Sequence, residues 1–287
     1  MRGELAERAT KVSMVATTLR GLAEMVVAFF SGSIALAAAA VDSFSDTVTS
    51  MVLLAGLKIS KKPADRGHLY GHAQAETLVS VLLAIVLFLG GIGVASIAIT
   101  KLQFGTTITM TSEVILISVV ACFISGLLAW YKISVGRKAR SVAVVADGYN
   151  SLADAASAAS VAVGMVFVSL GQIWADSVVA LGISAMIFYW SMRIGKNALG
   201  ILMGESPGKE VMEKITEICC GVPGVISCHN LRARRVGSRI YSDVHIKVDP
   251  KITVKKSHEI ATRIERRLKA RIPELRSVVV HVEPAGG

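Results

Sequence analysis

From Thr77 to Thr100 the chain carries no charged residue, and a run of that length has few ways to fold. A helix that crosses the hydrocarbon core of a bilayer needs about 20 mainly apolar residues. In lipid, only a helix or a closed barrel satisfies its own backbone. Five further stretches are long and apolar enough, or nearly so. They fall at 11–32, 33–58, 113–132, 141–170 and 174–200, beside the clean one at 76–100. The reading is an all-α six-helix transmembrane domain. The fifth and sixth stretches exceed a minimal span, so they project from the bilayer or tilt within it. The composition, 53% hydrophobic and 18% charged, is that of a membrane protein. The opening MRGELAERATK is charged and does not read as a secretory leader.

Charge in the connections orients the bundle. Arg2, Arg8 and Lys11 precede the first span. Lys58, Lys61, Lys62 and Arg66 follow the second, and Lys132, Arg137, Lys138 and Arg140 follow the fourth. The opposite connections hold only Lys101. Eleven against one places both termini in the cytosol of a multi-pass protein of the cytoplasmic (inner) membrane, with the lipid bilayer as its first partner.

After Gly204 the character changes, which divides the chain into a transmembrane domain at 1–204 and a cytosolic domain at 205–287. GESPGKE reads as a linker and helix start. A helix at 209–220, strands at 225–235 and 239–249, a helix at 254–271 and a strand near 276–283 give the order αββαβ of a small α+β sandwich. From 208 to 287 there are 16 Lys/Arg against 9 Asp/Glu, a net of +7. No interleaving of glycine, aromatic and basic residues accompanies that charge, so no nucleic acid is expected. A module beside an anionic leaflet fits it. The four cysteines form no CxxC and read as reduced or buried thiols.

Two polar pairs interrupt the apolar spans. Asp42 and Asp46 stand in AVDSFSD, and Asn150 and Asp154 in NSLAD. Spacing i, i+4 puts both members of a pair on one helix face. A carboxylate in hydrocarbon is costly unless compensated, and a bound metal cation compensates all four groups at once. Arg20 and Glu24, also i, i+4, neutralise each other within the first span. Asp147, three before Asn150, falls on nearly the same face as a supporting group. In the connection PADRGHLYGHAQAE, Asp65, His68 and His72 are spaced three and four apart; at the mouth of the third helix the two histidines can share a face. One carboxylate and two imidazoles make an open three-ligand site. Four of the six histidines, His229, His245, His258 and His281, fall in the cytosolic module, with Glu283 beside the last. Ligands of this type on successive packed elements point to metal, although Lys and Arg on the same surface repel a cation.

The stretches SGSIALAAAAVDSFSD, LYGHAQAE and VADGYNSLAD, with six spans and a terminal αββαβ module, resemble the cation diffusion facilitator family over nearly the whole chain. The resemblance implies a homodimeric divalent-metal/proton antiporter that exports metal from the cytosol. It implies a ferredoxin-like, metallochaperone-like cytosolic domain that dimerises around bound metal. It assigns Asp42, Asp46, Asn150 and Asp154 to the transport site. Asp65, His68 and His72 fall to a loop site, and His229, His245, His258, His281 and Glu283 to a cytosolic binuclear site, where Asp is usual at the last position. All six histidines land on metal positions. Two departures stand out. Zinc-transporting members often carry His where this chain has Asn150, and an all-oxygen site favours Mn²⁺ or Fe²⁺ over Zn²⁺. Gln74 stands where bacterial zinc exporters have a Lys in a charge pair at the dimer hinge.

Three carboxylates in one dry cavity cannot all stay ionised when empty, and they titrate as a coupled group. Metal binding expels protons and entering protons expel metal, while the site alternates between faces. The alternatives are a Zn²⁺, Cd²⁺ or Co²⁺ exporter of the same family, a transport-inactive metal sensor, and an intramembrane aspartyl protease. The protease needs one carboxylate per helix and usually G-x-G-D, which is absent. No enzymatic activity is expected.

Overall fold

Six long helices occupy the first two thirds of the chain. They are α1 (Arg2–Ser31), α2 (Ile34–Ser60), α3 (Gln74–Phe104), α4 (Ser112–Ala139), α5 (Val142–Ser169) and α6 (Trp174–Leu202). The structure is a computed structural model and describes residues 2–31, 34–104, 112–169 and 174–286. The connections at 32–33, 105–111 and 170–173 lie outside the described residues. Three segments, Gln74–Gln103, Ser118–Ala139 and Ser177–Leu202, are long and apolar enough to cross a membrane. At most 28% of each apolar window is buried within the bundle. Outward side chains such as Leu89, Phe123 and Trp130 stay exposed, a surface suited to lipid. The expectation of six spans is met in part: six long helices are present, and three of them qualify on apolarity among the described residues. The other three, α1, α2 and α5, hold the polar pairs.

The α4–α5 hairpin shows how local chemistry fixes this packing. Only Arg140 and Ser141 separate the two helices. Arg140 takes the left-handed conformation at φ 55°, and the Ser141 amide reaches back to the Gly136 carbonyl at 2.9 Å, which closes the last turn of α4. The Ser141 hydroxyl then accepts from the Val144 amide at 3.3 Å and caps α5. A turn this short forces the helices side by side. Gly136 and Gly148 let them touch: a Cβ on Gly148 would lie 2.7 Å from Ile133 Cγ1 and 3.0 Å from the Ile133 nitrogen.

The chain divides into two compact units, Met1–Leu199 and Gly200–Gly287. In the second, α7 (Lys209–Cys220), β1 (Ser227–Val236), β2 (Arg239–Val248), α8 (Val254–Arg271) and β3 (Leu275–Pro284) follow in the expected order. The sheet runs β1-β2-β3, with β1 antiparallel and β3 parallel to β2. Parallel neighbours need a long crossover, and α8 supplies it. Ile215 and Ile218 of α7, Ile260, Ile264 and Leu268 of α8, and Val244 and Ile246 of β2 form one core. Both helices therefore cover one face of the sheet. Residues 241, 243, 245 and 247 fall on the other face, because strand side chains alternate.

Candidate functional site

In the helical unit, α2 and α5 bring their polar pairs together. Asn150 Nδ2 donates to Asp46 Oδ1 at 3.0 Å. Asp42, Asn150 and Asp154 line a cavity of about 490 Å³, with Asp46 behind Asn150. Of the four residues expected from their spacing, three line one cavity and the fourth is bonded to one of them, while the carboxylates of Asp42, Asp46 and Asp154 do not all lie within 4.8 Å of one another. Three carboxylates and one amide present only oxygen to a cation once the Asn150 N–H is engaged by Asp46, because an amide that donates through nitrogen leaves its carbonyl free.

Two further ionisable groups line this cavity, Arg20 and Glu24. The sequence reading paired them within α1, and Arg20 Nε does donate to Glu24 Oε1 at 2.9 Å. Both also reach other helices. Arg20 donates to Ser125 Oγ at 2.7 Å, and Ser43 Oγ donates to Glu24 Oε2 at 2.6 Å. The pair is part of the cavity wall and ties α1 to α2 and α4. Charge spacing alone does not reveal that, because i, i+4 neutralisation looks the same on any helix face.

Lys132 also departs from the sequence reading, which counted it among connection charges. It lies inside α4 and is 2% exposed, as is Asp147 of α5. Lys132 Nζ approaches Asp147 Oδ2 at 2.9 Å and donates to Ser151 Oγ at 2.9 Å. The directed hydrogen bond goes to Ser151; the contact with Asp147 is electrostatic. Asp147 was expected as a supporting group. Its partner was missed, although Gly148 beside it marks where α4 and α5 approach.

Asp65, His68 and His72 meet in the connection between α2 and α3, their ligand atoms within 4.8 Å of one another. The sequence reading allowed the histidines a common helical face; the structure places them in a loop, since α3 begins only at Gln74. Pro63, Gly67 and Gly71, the last at φ 79°, break any helix there. The Asp65 carboxylate organises the loop by accepting from the Gly67 and His68 amides at 2.9 and 2.7 Å. The bond from the His68 amide, with that from Gly67, holds its pKa below the ordinary value. Its Oδ2 lies 3.3 Å from His72 Nε2, and the other His72 nitrogen meets the Pro63 carbonyl at 3.2 Å. A backbone carbonyl on the second nitrogen is how ligating imidazoles are oriented.

In the second unit, strand register makes a row. His229 is opposite His245, and His245 is opposite His281. Directly opposed residues share a face, so three strands present three imidazoles side by side, away from the helices. Glu283, two residues beyond His281, turns its carboxylate along the row. Its Oε1 lies 2.7 Å from His245 Nδ1 and 3.7 Å from His281 Nε2, and its Oε2 lies 3.2 Å from His229 Nε2. The His245 bond and the other imidazoles hold the Glu283 carboxyl below its ordinary value. His229, His245 and Glu283 have ligand atoms within 4.8 Å of one another. His258 stands apart: it lies on α8, the helix packed on the opposite face, and is exposed. The sequence reading did not single out Asn230. It occupies the irregularity between β1 and β2 at φ 49° and lies 3.3 Å from His245 Nε2 through its amide nitrogen. Only the bulge aims it there.

The family model described as the cation efflux transmembrane domain matches residues 10–203, and that of the cation efflux protein cytoplasmic domain matches 207–285. An uncharacterized transporter of Methanocaldococcus jannaschii is 28% identical over 96% of this chain and 98% of its own. The magnetosome protein MamB of Magnetospirillum gryphiswaldense is 30% identical over 91% and 88%. The cation-efflux pump FieF of Citrobacter koseri is 29% identical over 98% and 94%.

Proposed function

Because the chain belongs to the cation efflux (cation diffusion facilitator) family, whose members are membrane transporters and not enzymes, we propose that it exports a divalent transition metal in exchange for protons. The metal is substrate, carried by Asp42, Asp46, Asn150 and Asp154. The observation that carries this reading is the cavity lined by Asp42, Asn150 and Asp154, with Asp46 bonded to Asn150. An all-oxygen donor set suits Mn²⁺ or Fe²⁺ better than Zn²⁺, Cd²⁺ or Co²⁺. Proton exchange falls to the three carboxylates, since an amide does not titrate.

The wider arrangement belongs to the same proposal. Six spans place both termini in the cytosol of the cytoplasmic membrane, with 1–204 as the transport domain and 205–287 as the cytosolic one. Ten connection and terminal charges against one support that orientation once Lys132, buried in α4, is set aside. The protein works as a homodimer. Metal at Asp65, His68 and His72, and at the His229, His245, His281 and Glu283 row, is resident and regulatory. Nitrogen and carboxylate donors at these spacings fit a transition ion. His258 completes a site only with groups beyond its own sheet face.

Reconstitution tests the core of the proposal. Asp46→Ala and Asp154→Ala should each abolish metal uptake into proteoliposomes while the protein remains dimeric. Normal flux in either variant would overturn the site assignment. Flux of Mn²⁺, Fe²⁺, Zn²⁺, Co²⁺ and Cd²⁺ at two proton gradients separates the antiporter from a transport-inactive sensor.

A further inference from the structure

The cavity adjoins the packed core of the helical unit, since Leu87, Ala153 and Ile187 belong to both, but most of its other walls come from one end of the bundle. Short connections and local contacts define the two ends. Lys61, just beyond α2, pairs with Glu7 of α1 at 2.9 Å, so the start of α1, the end of α2 and the start of α3 lie together. Ala6, Leu57, Leu83, Ala139 and Ala143 are buried in one cluster, which brings the α4–α5 turn to the same end. The cavity is lined from the other end: by Arg20 and Glu24 late in α1, Asp42 early in α2, Gly93 and Ile97 late in α3, and Ser118 early in α4. Asn150 and Asp154 lie between. Below them, toward the packed end, sit Lys132 and Asp147, each 2% exposed.

We infer that Lys132 and Asp147 are positioning residues for transport, forming the seal that closes α4 on α5 beneath the cation cavity. The cavity's lining runs from mid-helix toward the helix ends away from the 61–73 connection. A transporter with one central site must part that seal to reach the other face. A buried ion pair suits a contact that has to close and also open. Shut, each charge is compensated by its partner and Lys132 also by Ser151. Opened, each regains water, which offsets the lost attraction. Two apolar side chains at the same place gain nothing from water and hold the helices shut. The inference rests on the proposed orientation only for naming the sealed side as cytosolic.

The test uses the full chain with Cys122, Cys219, Cys220 and Cys228 replaced, in sealed vesicles, and reads labelling by a charged, membrane-impermeant thiol reagent added to either face. Ala158→Cys reports the cavity wall. Ser50→Cys reports the packed side, where the hydroxyl is buried and has no hydrogen-bond partner to lose. The expected result is labelling of Ala158→Cys from the face opposite the 61–73 connection, and protection of Ser50→Cys from both. Adding Lys132→Met should speed labelling of Ser50→Cys from the 61–73 face by roughly tenfold or more, since it leaves a buried charge unpaired. The exchange Lys132→Asp with Asp147→Lys should restore protection. Lys132→Met with Asp147→Leu should stay protected yet transport metal more slowly, an outcome a merely structural pair would not give. Labelling of Ala158→Cys from the 61–73 face in the parent, or unchanged protection of Ser50→Cys in both Lys132→Met and Asp147→Leu, would overturn the inference. Labelling needs no metal flux, so its failure is distinct from failure of the transport-site assignment.

Discussion

Asn150 decides more of the chemistry than its neutral side chain suggests. Its amide nitrogen is committed to Asp46 at 3.0 Å, which leaves its carbonyl oxygen free and, in the proposed site, keeps a titratable group out of the position. Asn150→His replaces that oxygen with a softer nitrogen donor, so metal ranking in a competition flux assay should move toward Zn²⁺. An unchanged ranking would place selectivity elsewhere. Glu283 gives a second residue-scale expectation. The hydrogen bond from His245, with the other imidazoles near it, depresses its pKa from the ordinary 4.5. A carboxyl depressed in the folded state contributes stability above its ordinary value and loses it as pH falls through the folded one. The metal-free protein should therefore lose part of its cytosolic-domain stability below about pH 4.5, and Glu283→Gln should flatten that loss. Chemical denaturation between pH 3 and 7, followed at the cytosolic domain, checks it. An unaltered pH profile in Glu283→Gln would assign the acid sensitivity to other groups.

At the scale of elements, the α4–α5 hairpin is the feature most exposed to a single change. Gly148→Ala gains up to about 1 kcal/mol of helix propensity. Its new Cβ would lie 3.0 Å from the Ile133 nitrogen, and backbone does not yield as a side chain does. Overpacking of this kind costs about 1–3 kcal/mol, so clash outweighs propensity and the melting temperature in detergent should fall. Gly182→Ala in α6, where nothing lies within 4 Å, is the matched control and should not lower it. Equal behaviour of the two would mean the close approach of α4 and α5 contributes nothing. In the cytosolic sheet the comparable device is register, since His229, His245 and His281 align only while each strand keeps its pairing. A one-residue slip would turn any of them toward the helices.

For the whole molecule, the proposed transport cavity and the histidine row belong to different compact units, so they should answer differently to mutation. Under the proposed division of labour, His245→Ala changes the metal concentration that half-activates transport. It should leave flux at saturating metal within about twofold of the parent, as expected for separate sites, while Asp154→Ala removes flux at every concentration. If His245→Ala instead abolished saturating flux, the row would be part of the route and not its regulator.

The class of fold and most of the candidate ligands are legible in the residue pattern alone. Apolar run length requires membrane helices regardless of how they pack, and i, i+4 spacing places Asp42 with Asp46, and Asn150 with Asp154, whatever the neighbours. The αββαβ order likewise follows from local periodicity. Tertiary structure alone decided which of these groups meet. Periodicity gives the face of an element, but not the element it faces or the depth of a charge within the bundle. For that reason Lys132 read as a loop cation and is instead a buried partner of Asp147. Arg20 and Glu24 read as a self-contained pair and instead line the cavity. His68 and His72 read as sharing a helical face and are gathered by an Asp65-centred loop. Asn230 reaches His245 only because a bulge sets its backbone at φ 49°. Each difference turns on a contact between residues distant in sequence or on a local backbone break, and neither is written in spacing alone.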